Sequence, residues 1–227
     1  MPGHDARWRG LVAALLLVAG LSARAAGGDK VPLELELPDA VYEGTPKTFP
    51  LTPYMEKPSE KPRKPILVPE GVENVARGKP VTASVELPAI GELDMVTDGD
   101  KRGSHESYVE LPPGPQWVQI DLEAPYRLHA IVLWHYHIEA RVYHDVVVRV
   151  ADDADFITGV RTVYSNDYDN SLGLGIGKAK EYFEDNQGRL IELDGIEARY
   201  VRLYSNGSTA GDRNHVTEVE VYGLPAR

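Results

Sequence analysis

Residues 117–134, WVQIDLEAPYRLHAIVLW, carry two different strand patterns one after the other. In the first part, Val118, Ile120 and Leu122 alternate with polar residues, which is typical of a strand with one buried face. In the second part, LHAIVLW (128–134), the residues are apolar almost throughout, which favours a strand buried on both faces. The two parts together predict a sheet that is covered on both sides along some of its length.

Further β-rich segments lie on both sides of this stretch. VTASV (81–85) comes before it, and HDVVVRVA (144–151), RTVYS, RLIEL, RYVRLYS and TEVEVYG come after it. About eight such segments, separated by turn residues and without an amphipathic helix, predict an all-β antiparallel sandwich or jelly roll.

Residues 1–25 have the layout of a secretory signal peptide. Arg7 and Arg9 precede the apolar run LVAALLLVAGL (11–21), and small residues at 23–25 provide a cleavage site. A run of about 11 residues is too short to cross a bilayer of roughly 30 Å as a helix. Together with the lack of a later transmembrane segment, this predicts a secreted or periplasmic protein.

Residues 26–73 are rich in proline and charge, which favours extended chain over a packed unit. We expect mainly a linker, with some ordered contacts near 65–69. The alternative is an arm that lies along the domain. Its candidate anchors are Tyr42, Phe49, Tyr54 and Ile66.

The charge balance disfavours two classes of partner. The net charge is −11, and residues 1–25 contribute +2, so the rest of the chain carries −13. Nucleic acids and anionic membranes require a basic surface. The chain also has no cysteine, so it has neither disulfides nor a lipid-anchoring thiol, and an exported domain of this kind must depend on its core for stability.

Five segments occur in the order and spacing of a known family. They are NVARGKPVTAS (74–84), VTDGD (96–100), QWVQIDL (116–122), ARYVRLYSNG (198–207) and TEVEVYG (217–223). Residues 74–227 therefore resemble the discoidin, or coagulation-factor type C, domain family. The resemblance implies a galactose-binding-like jelly-roll β-sandwich, preceded here by the proline-rich arm. It also implies a non-catalytic domain that binds through loops at one rim, in relatives that recognise sugars, lipids or proteins.

The resemblance further implies one structural calcium ion, because many bacterial relatives hold Ca²⁺ at the turn after the second strand. Hard oxygen ligands from two distant segments suit this ion. The family pattern expects Ser or Thr where this chain has Gly103, and Ser104 comes one residue late. The alternative is that DGD is only a turn and that the glutamate is a solvated strand residue. The implied ligands are the backbone carbonyls of Met95 and Thr217 and the side chains of Asp98, Asp100, Ser104 and Glu218.

A secreted carbohydrate-binding module is the function that this sequence favours. Sugar sites combine an aromatic face with Arg, His or Asn donors, and three loops could bring such residues to one rim. Tyr143 could instead pack in the core, and Arg141 could pair with Glu139. An extracellular protein-binding module for adhesion or assembly is the alternative. The candidate ligand-binding residues are His105, Tyr108, His137, Arg141, Tyr143, Asn214 and His215.

A metal-dependent hydrolase is a minor alternative. His135 and His137 are two residues apart, so on a strand they point the same way, and Glu139 could complete a zinc site. However, the sequence contains no HExxH motif and no GxSxG motif, so we expect no enzymatic activity.

Residues 164–188 form an insertion relative to the family pattern. From Asp167 the acidic half resembles an EF-hand, but the sixth and twelfth positions hold Leu172 and Lys178 where glycine and glutamate are required. The glycine-rich half lacks the strand–turn–helix context of a nucleotide site, and Gly177-Lys178 is followed by Ala179. These residues predict a loop, and whether it contacts the ligand stays open.

Overall fold

The computed structural model describes residues 30–41, 49–57, 63–104 and 107–226. The predicted signal peptide, Tyr42 and His105 lie outside these residues. The described chain contains strands β1 (Lys30–Pro32), β2 (Leu67–Pro69), β3 (Glu73–Asn74), β4 (Val81–Ala83), β5 (Val109–Leu111), β6 (Gln116–Trp134), β7 (Val147–Ala151), β8 (Arg161–Ser165), β9 (Arg189–Ser205), β10 (Asn214–Val216) and β11 (Glu218–Pro225), and one 3₁₀-helix, Leu93–Thr97.

The main sheet is built around β6 and β9, which pair with each other along most of their length. Its order is β3–β11–β6–β9–β7–β8, and β4 also pairs with β6. Register shifts after Asp121 and Leu128 bend β6, so that its first part pairs with β4 and its second part with β11. β5 and β10 form a separate antiparallel pair. The prediction of an all-β antiparallel fold is confirmed.

The second part of β6 is buried on both faces, as its sequence predicts. Ile131 and Leu133 belong to the main core between the sheets. Ala130, Val132 and Trp134 point the other way, into a second cluster, and each has an exposed fraction of 0%. A continuous apolar run is therefore explained by two cores, one on each side of a single strand.

The second core is covered by residues that we expected to form a linker. Ile66 and Val68 are buried in this cluster, and Leu33 and Leu35 pack against it. β1 and β2 pair in front of it. Without these residues, one face of Trp134 would be open to water, so the contacts of the described residues match the arm alternative and not the linker that we favoured.

The insertion 164–188, all of which is described, holds a second part of the arm. Met55 forms a parallel bridge with Glu181, and Tyr54 stacks on Tyr168 with 3.9 Å between ring centroids. Phe49 also packs edge-on against Phe183.

The 3₁₀-helix is the only helical element in the described chain and is too short to cross a membrane.

Candidate functional site

Three loops at one end of the sandwich bring most of the predicted ligand-binding residues together. Tyr108 directly precedes β5, and His215 lies in β10, opposite Glu110 of β5. Arg141 and Tyr143 come from the loop between β6 and β7. The β5–β10 pairing thus places residues that are more than 100 positions apart in sequence beside one another.

We call this group the rim cluster. The guanidinium carbon of Arg141 lies 4.4 Å from the ring centroid of Tyr136, and its Nη2 donates to Glu139 Oε2 at 2.5 Å. Arg141 is 8% exposed, and its Nε is buried without a hydrogen-bond acceptor. The predicted Arg141–Glu139 pair is therefore present. The rim cluster consists of Tyr108, Tyr136, Arg141, Tyr143 and His215, with Glu110 and Glu139 at its edges.

The side chains of the rim cluster form a series of hydrogen bonds in which each residue donates to the next. Arg141 bonds to the side chain of Tyr143, whose hydroxyl lies 3.0 Å from His215 Nδ1. His215 Nε2 lies 3.2 Å from Glu110 Oε2. Burial, and next to it the charge of Arg141, lowers the pKa of His215, so its ring is neutral at pH 7. A neutral ring that donates from Nε2 to Glu110 must accept at Nδ1 from Tyr143, which fixes the tautomer.

The three tyrosines of the rim cluster are buried and pack around its polar groups. Tyr108, Tyr136 and Tyr143 are 6%, 4% and 1% exposed. The ring of Tyr108 packs edge-on against Tyr136, and the ring of Tyr143 stacks on His135. The rings of Tyr108 and Tyr143 are therefore packed inside the protein, which is the alternative given for Tyr143, and ligand contact by these two residues stays a prediction.

Two of the predicted residues lie outside the rim cluster. Asn214 is fully buried; its Oδ1 accepts from Ser205 and Gly207, and its Nδ2 donates to two backbone carbonyls. His137 is also buried, and its Nε2 lies 2.7 Å from the carbonyl oxygen of Lys101. Both side chains hold loops together through these hydrogen bonds, and ligand contact by either residue stays a prediction.

Other histidines near the rim also form hydrogen bonds with side chains of this protein. His135 Nδ1 lies 2.7 Å from Glu184 Oε1, in a pair that is completely buried. His144 Nδ1 lies 2.7 Å from Glu181 Oε1. Since both glutamates belong to the insertion, the predicted zinc ligand His135 has a structural partner instead, and among the described residues no three-ligand group contains a histidine.

The region of the predicted calcium site contains buried oxygens that fit a hard cation. Glu218 is 0% exposed; its Oε2 accepts from the backbone N–H of Gly99 at 3.0 Å, and its Oε1 has no donor. The hydroxyl of Thr217 is also buried without a partner. Burial raises the pKa of Glu218 to about 8, and the charges of Glu220 and Asp98 add to this effect. A bound cation would supply the missing partner.

Other predicted ligands are held differently. Both oxygens of Asp100 accept from Arg102, and the hydroxyl of Ser104 pairs with that of Ser107 at 3.0 Å. The side chain of Met95 packs against the main core, and this does not bear on the backbone carbonyl that was predicted as the ligand. Asp98 is exposed and borders a cleft of about 420 Å³. The calcium site therefore stays a prediction, and the buried, unpaired oxygen of Glu218 is the feature that fits a cation best.

The structure also shows an acidic group that the sequence pattern did not predict. Among the described residues, Asp145, Asp167 and Asp169 are the three carboxylates that place one oxygen each within 4.8 Å of one another. The acidic half of the insertion pointed to Asp167 and Asp169. Asp145 joins them from the loop after β6, and no local signal connects it to them.

Comparison with known proteins agrees with this architecture. The family model for the F5/8 type C domain matches residues 80–219. CpGH89CBM32-4 from Clostridium perfringens, solved with GlcNAc-α-1,4-galactose, is similar over 69% of this chain and 97% of its own length, with 20% identity and a TM-score of 0.50. A fucose-binding module from Streptococcus pneumoniae covers 67% of this chain and 98% of its own length, with 20% identity and a TM-score of 0.48.

A family 89 glycoside hydrolase from Clostridium perfringens also matches 67% of this chain, with 20% identity and a TM-score of 0.50, but the match spans only 15% of the hydrolase. At this level of identity, the solved structures show a shared fold. The search of curated proteins gives no match.

Proposed function

This chain belongs to the F5/8 type C domain family, and from that membership we propose that it is an exported, non-catalytic module that binds carbohydrate at the rim cluster. The observation that carries the proposal is the position of Arg141. Its guanidinium is held in one orientation by Tyr136, Glu139 and Tyr143 at the end of the sandwich where three loops meet. A fixed planar group with five donors suits the paired hydroxyls of a sugar or a sugar carboxylate.

The rim cluster supplies both kinds of group that a sugar hydroxyl needs. Arg141 donates, Glu110 and Glu139 accept, and the side chain of Glu139 is 65% exposed. His215 is partly accessible between them. A site of this kind binds through hydrogen bonds, and the buried tyrosines keep its donors in place.

Two of the three rim loops have a surface that suits a sugar better than a protein partner. A protein-binding rim would be expected to expose large apolar side chains. In the described parts of the rim loops 135–146 and 205–216, no large apolar residue is among those exposed to solvent. Ile157 and Ile176 are exposed outside the rim, whereas Ile90, which is 41% exposed, lies in the loop before β5 and bridges to Glu110 at the edge of the rim cluster.

Calcium is part of the same proposal as a structural ion. The buried oxygens of Glu218 and Thr217 would provide ligands, and Asp98, whose charge acts on Glu218, would add a carboxylate. A bound cation would connect the start of the domain to β11, in a chain without disulfides.

The proposal is tested with the mature full-length chain on a glycan array, followed by calorimetric titration of the best ligand. We expect a dissociation constant of roughly 10⁻⁴ M, or about −5.5 kcal/mol. Arg141→Lys keeps the charge but loses the planar fork, and we expect it to cost about 1.5–3 kcal/mol of binding. Arg161→Lys, in β8 and outside the rim, is the matched control. If no glycan is retained, or if Arg141→Lys binds as well as the wild type, the proposal is wrong.

A further inference from the structure

The described arm segment 49–57 contacts the end of the insertion that supports the rim cluster. Glu181 donates its backbone N–H to the carbonyl of Tyr54 at 3.0 Å, and Glu56 donates to the carbonyl of Glu181 at 2.8 Å. Met55, between them, is 4% exposed. This is a short strand pairing between two segments that are 126 residues apart in sequence.

Side chains strengthen the same contact. Lys180 Nζ donates to the carbonyl of Pro53 at 3.0 Å. Glu56 forms an ion pair of 2.8 Å with Arg189, whose guanidinium lies 3.8 Å from the ring centroid of Tyr182. The arm therefore contacts the backbone of Glu181 and the side chain of Lys180 directly, and it contacts the ring of Tyr182 through Arg189.

Residues 181–184 in turn hold the loop that carries Arg141. The backbone N–H of Glu184 donates to the carbonyl of Arg141 itself at 3.1 Å. The side chain of Glu184 pairs with His135, whose ring stacks on Tyr143 at 4.3 Å. Glu181 pairs with His144 from the same loop. The side chains of Glu181 and Glu184 and the backbone N–H of Glu184 thus hold residues on both sides of Arg141 in place.

We propose that arm segment 49–57 is a positioning element of the rim: through Glu181 and Glu184 it holds Arg141 in the orientation that binds ligand. This inference rests on the proposed function for its consequence in binding, but the structural coupling can be measured without any ligand. It also gives the insertion a role, since the insertion transmits the arm contact to the rim.

The decisive variant is Glu56→Pro, because proline removes the N–H that donates to Glu181 and leaves the preceding residue in the extended conformation it already has. Two matched controls are available. Lys57→Pro places the same residue one position later, where no hydrogen bond of the N–H is found among the described residues, and Glu56→Gln removes the ion pair with Arg189 but keeps the N–H. Met55→Ala is a milder variant for use if Glu56→Pro does not fold.

Hydrogen exchange is measured on the full mature chain, amide by amide. In Glu56→Pro we expect the amide of Glu184, which bonds to Arg141, to exchange about tenfold faster than in the wild type. The amide of Thr209, which bonds to the carbonyl of Val142 at 2.9 Å, should follow it. The amides of β7 and β9 should stay unchanged, Lys57→Pro should match the wild type, and Glu56→Gln, which loses only the ion pair, should speed the exchange of Glu184 less than Glu56→Pro does.

Two results would overturn the proposal. In the first, the amide of Glu181 exchanges faster but that of Glu184 does not, so the effect of the arm stops at the edge of the insertion. In the second, Glu184 responds but affinity for a glycan bound by the wild type is the same in Glu56→Pro and Lys57→Pro, where we expect a loss of about tenfold. If the wild type binds no glycan, the proposed function fails while the exchange of Glu184 still decides whether the arm positions Arg141.

Discussion

Replacement of Glu218 by Gln should remove the response of this protein to calcium. Glu218 is completely buried, one of its oxygens has no donor, and its pKa is raised to about 8, chiefly by burial. An ionised carboxylate in this position is costly without a cation. Glutamine has nearly the same shape and no charge, so it should tolerate the metal-free site and bind the metal poorly.

The pKa of Glu218 sets the size and the sign of the effect. A rise from 4.5 to about 8 corresponds to an upper limit of about 5 kcal/mol against the ionised, metal-free form. The folded state holds this proton more tightly than the unfolded state, so the contribution of Glu218 to stability is full below about pH 4.5 and is lost as the pH rises through about 8. In chelator, the free energy of unfolding of Glu218→Gln should therefore exceed that of the wild type by an amount that increases from about pH 4.5 to about pH 8.

Thermal unfolding in chelator and in excess calcium measures both effects. Calcium at 100 times its dissociation constant stabilises a native state by about 2.7 kcal/mol. For a domain of this size, this corresponds to a rise in Tm of about 5–10 °C. We expect this rise in the wild type and none in Glu218→Gln.

Glu220→Gln is the matched control for this experiment. Glu220 lies two residues along the same strand and is also buried, but its oxygens have protein partners in Lys101 and Tyr222. This variant should lose stability and keep its response to calcium. A wild type whose Tm does not change with calcium, or equal shifts in the wild type and Glu218→Gln, would refute the reasoning.

Three further predictions concern stability. Ile66→Ala should lower the free energy of unfolding by about 2 kcal/mol or more in a denaturant titration, because Ile66 covers the second core; a change below about 0.5 kcal/mol would mean that the arm is not part of the fold. Asn214→Ala should lower Tm in the absence of ligand, since it leaves the buried N–H of Gly207 without its acceptor, and an unchanged Tm would contradict a structural role. The hydrogen bond to Glu181 raises the pKa of His144, so the loss of Tm in His144→Gln should be largest near pH 5 and disappear as the pH rises through the raised pKa; a loss independent of pH would exclude this pair as the cause.

The parts of the fold that were predictable are those that depend on local pattern. The apolar run in 128–134 directly reports that β6 is buried on both faces there, whereas the alternation in 117–122 identifies one buried face and misses the burial of Gln119 on the other. The arm was harder to predict, because a proline-rich composition shows that a segment is extended but not what it lies against. The apolar run contained the missing information, since Ala130, Val132 and Trp134 required a cover that only another segment could provide.

The candidate site was predictable in its members but not in their roles. Arg141, Tyr143 and His215 were selected by residue type, and the β5–β10 pairing brings them together. Burial decides whether a tyrosine ring can stack on a ligand or only packs against other side chains. Burial depends on long-range packing, which residue type does not report. Glu184 could not be predicted as a neighbour of Arg141, because the path of the insertion sets that contact.

The pairing of the first and last strands of the main sheet has a consequence for folding kinetics. The N–H of Val221 bonds to Asn74 across 147 residues of sequence, and β11 lies between β3 and β6. The sheet therefore cannot close until β11 has been synthesised, and closure of so long a loop belongs to the slow class of all-β folding reactions. A chain that lacks β11 should therefore not fold, because β3 and β6 lose the strand that joins them.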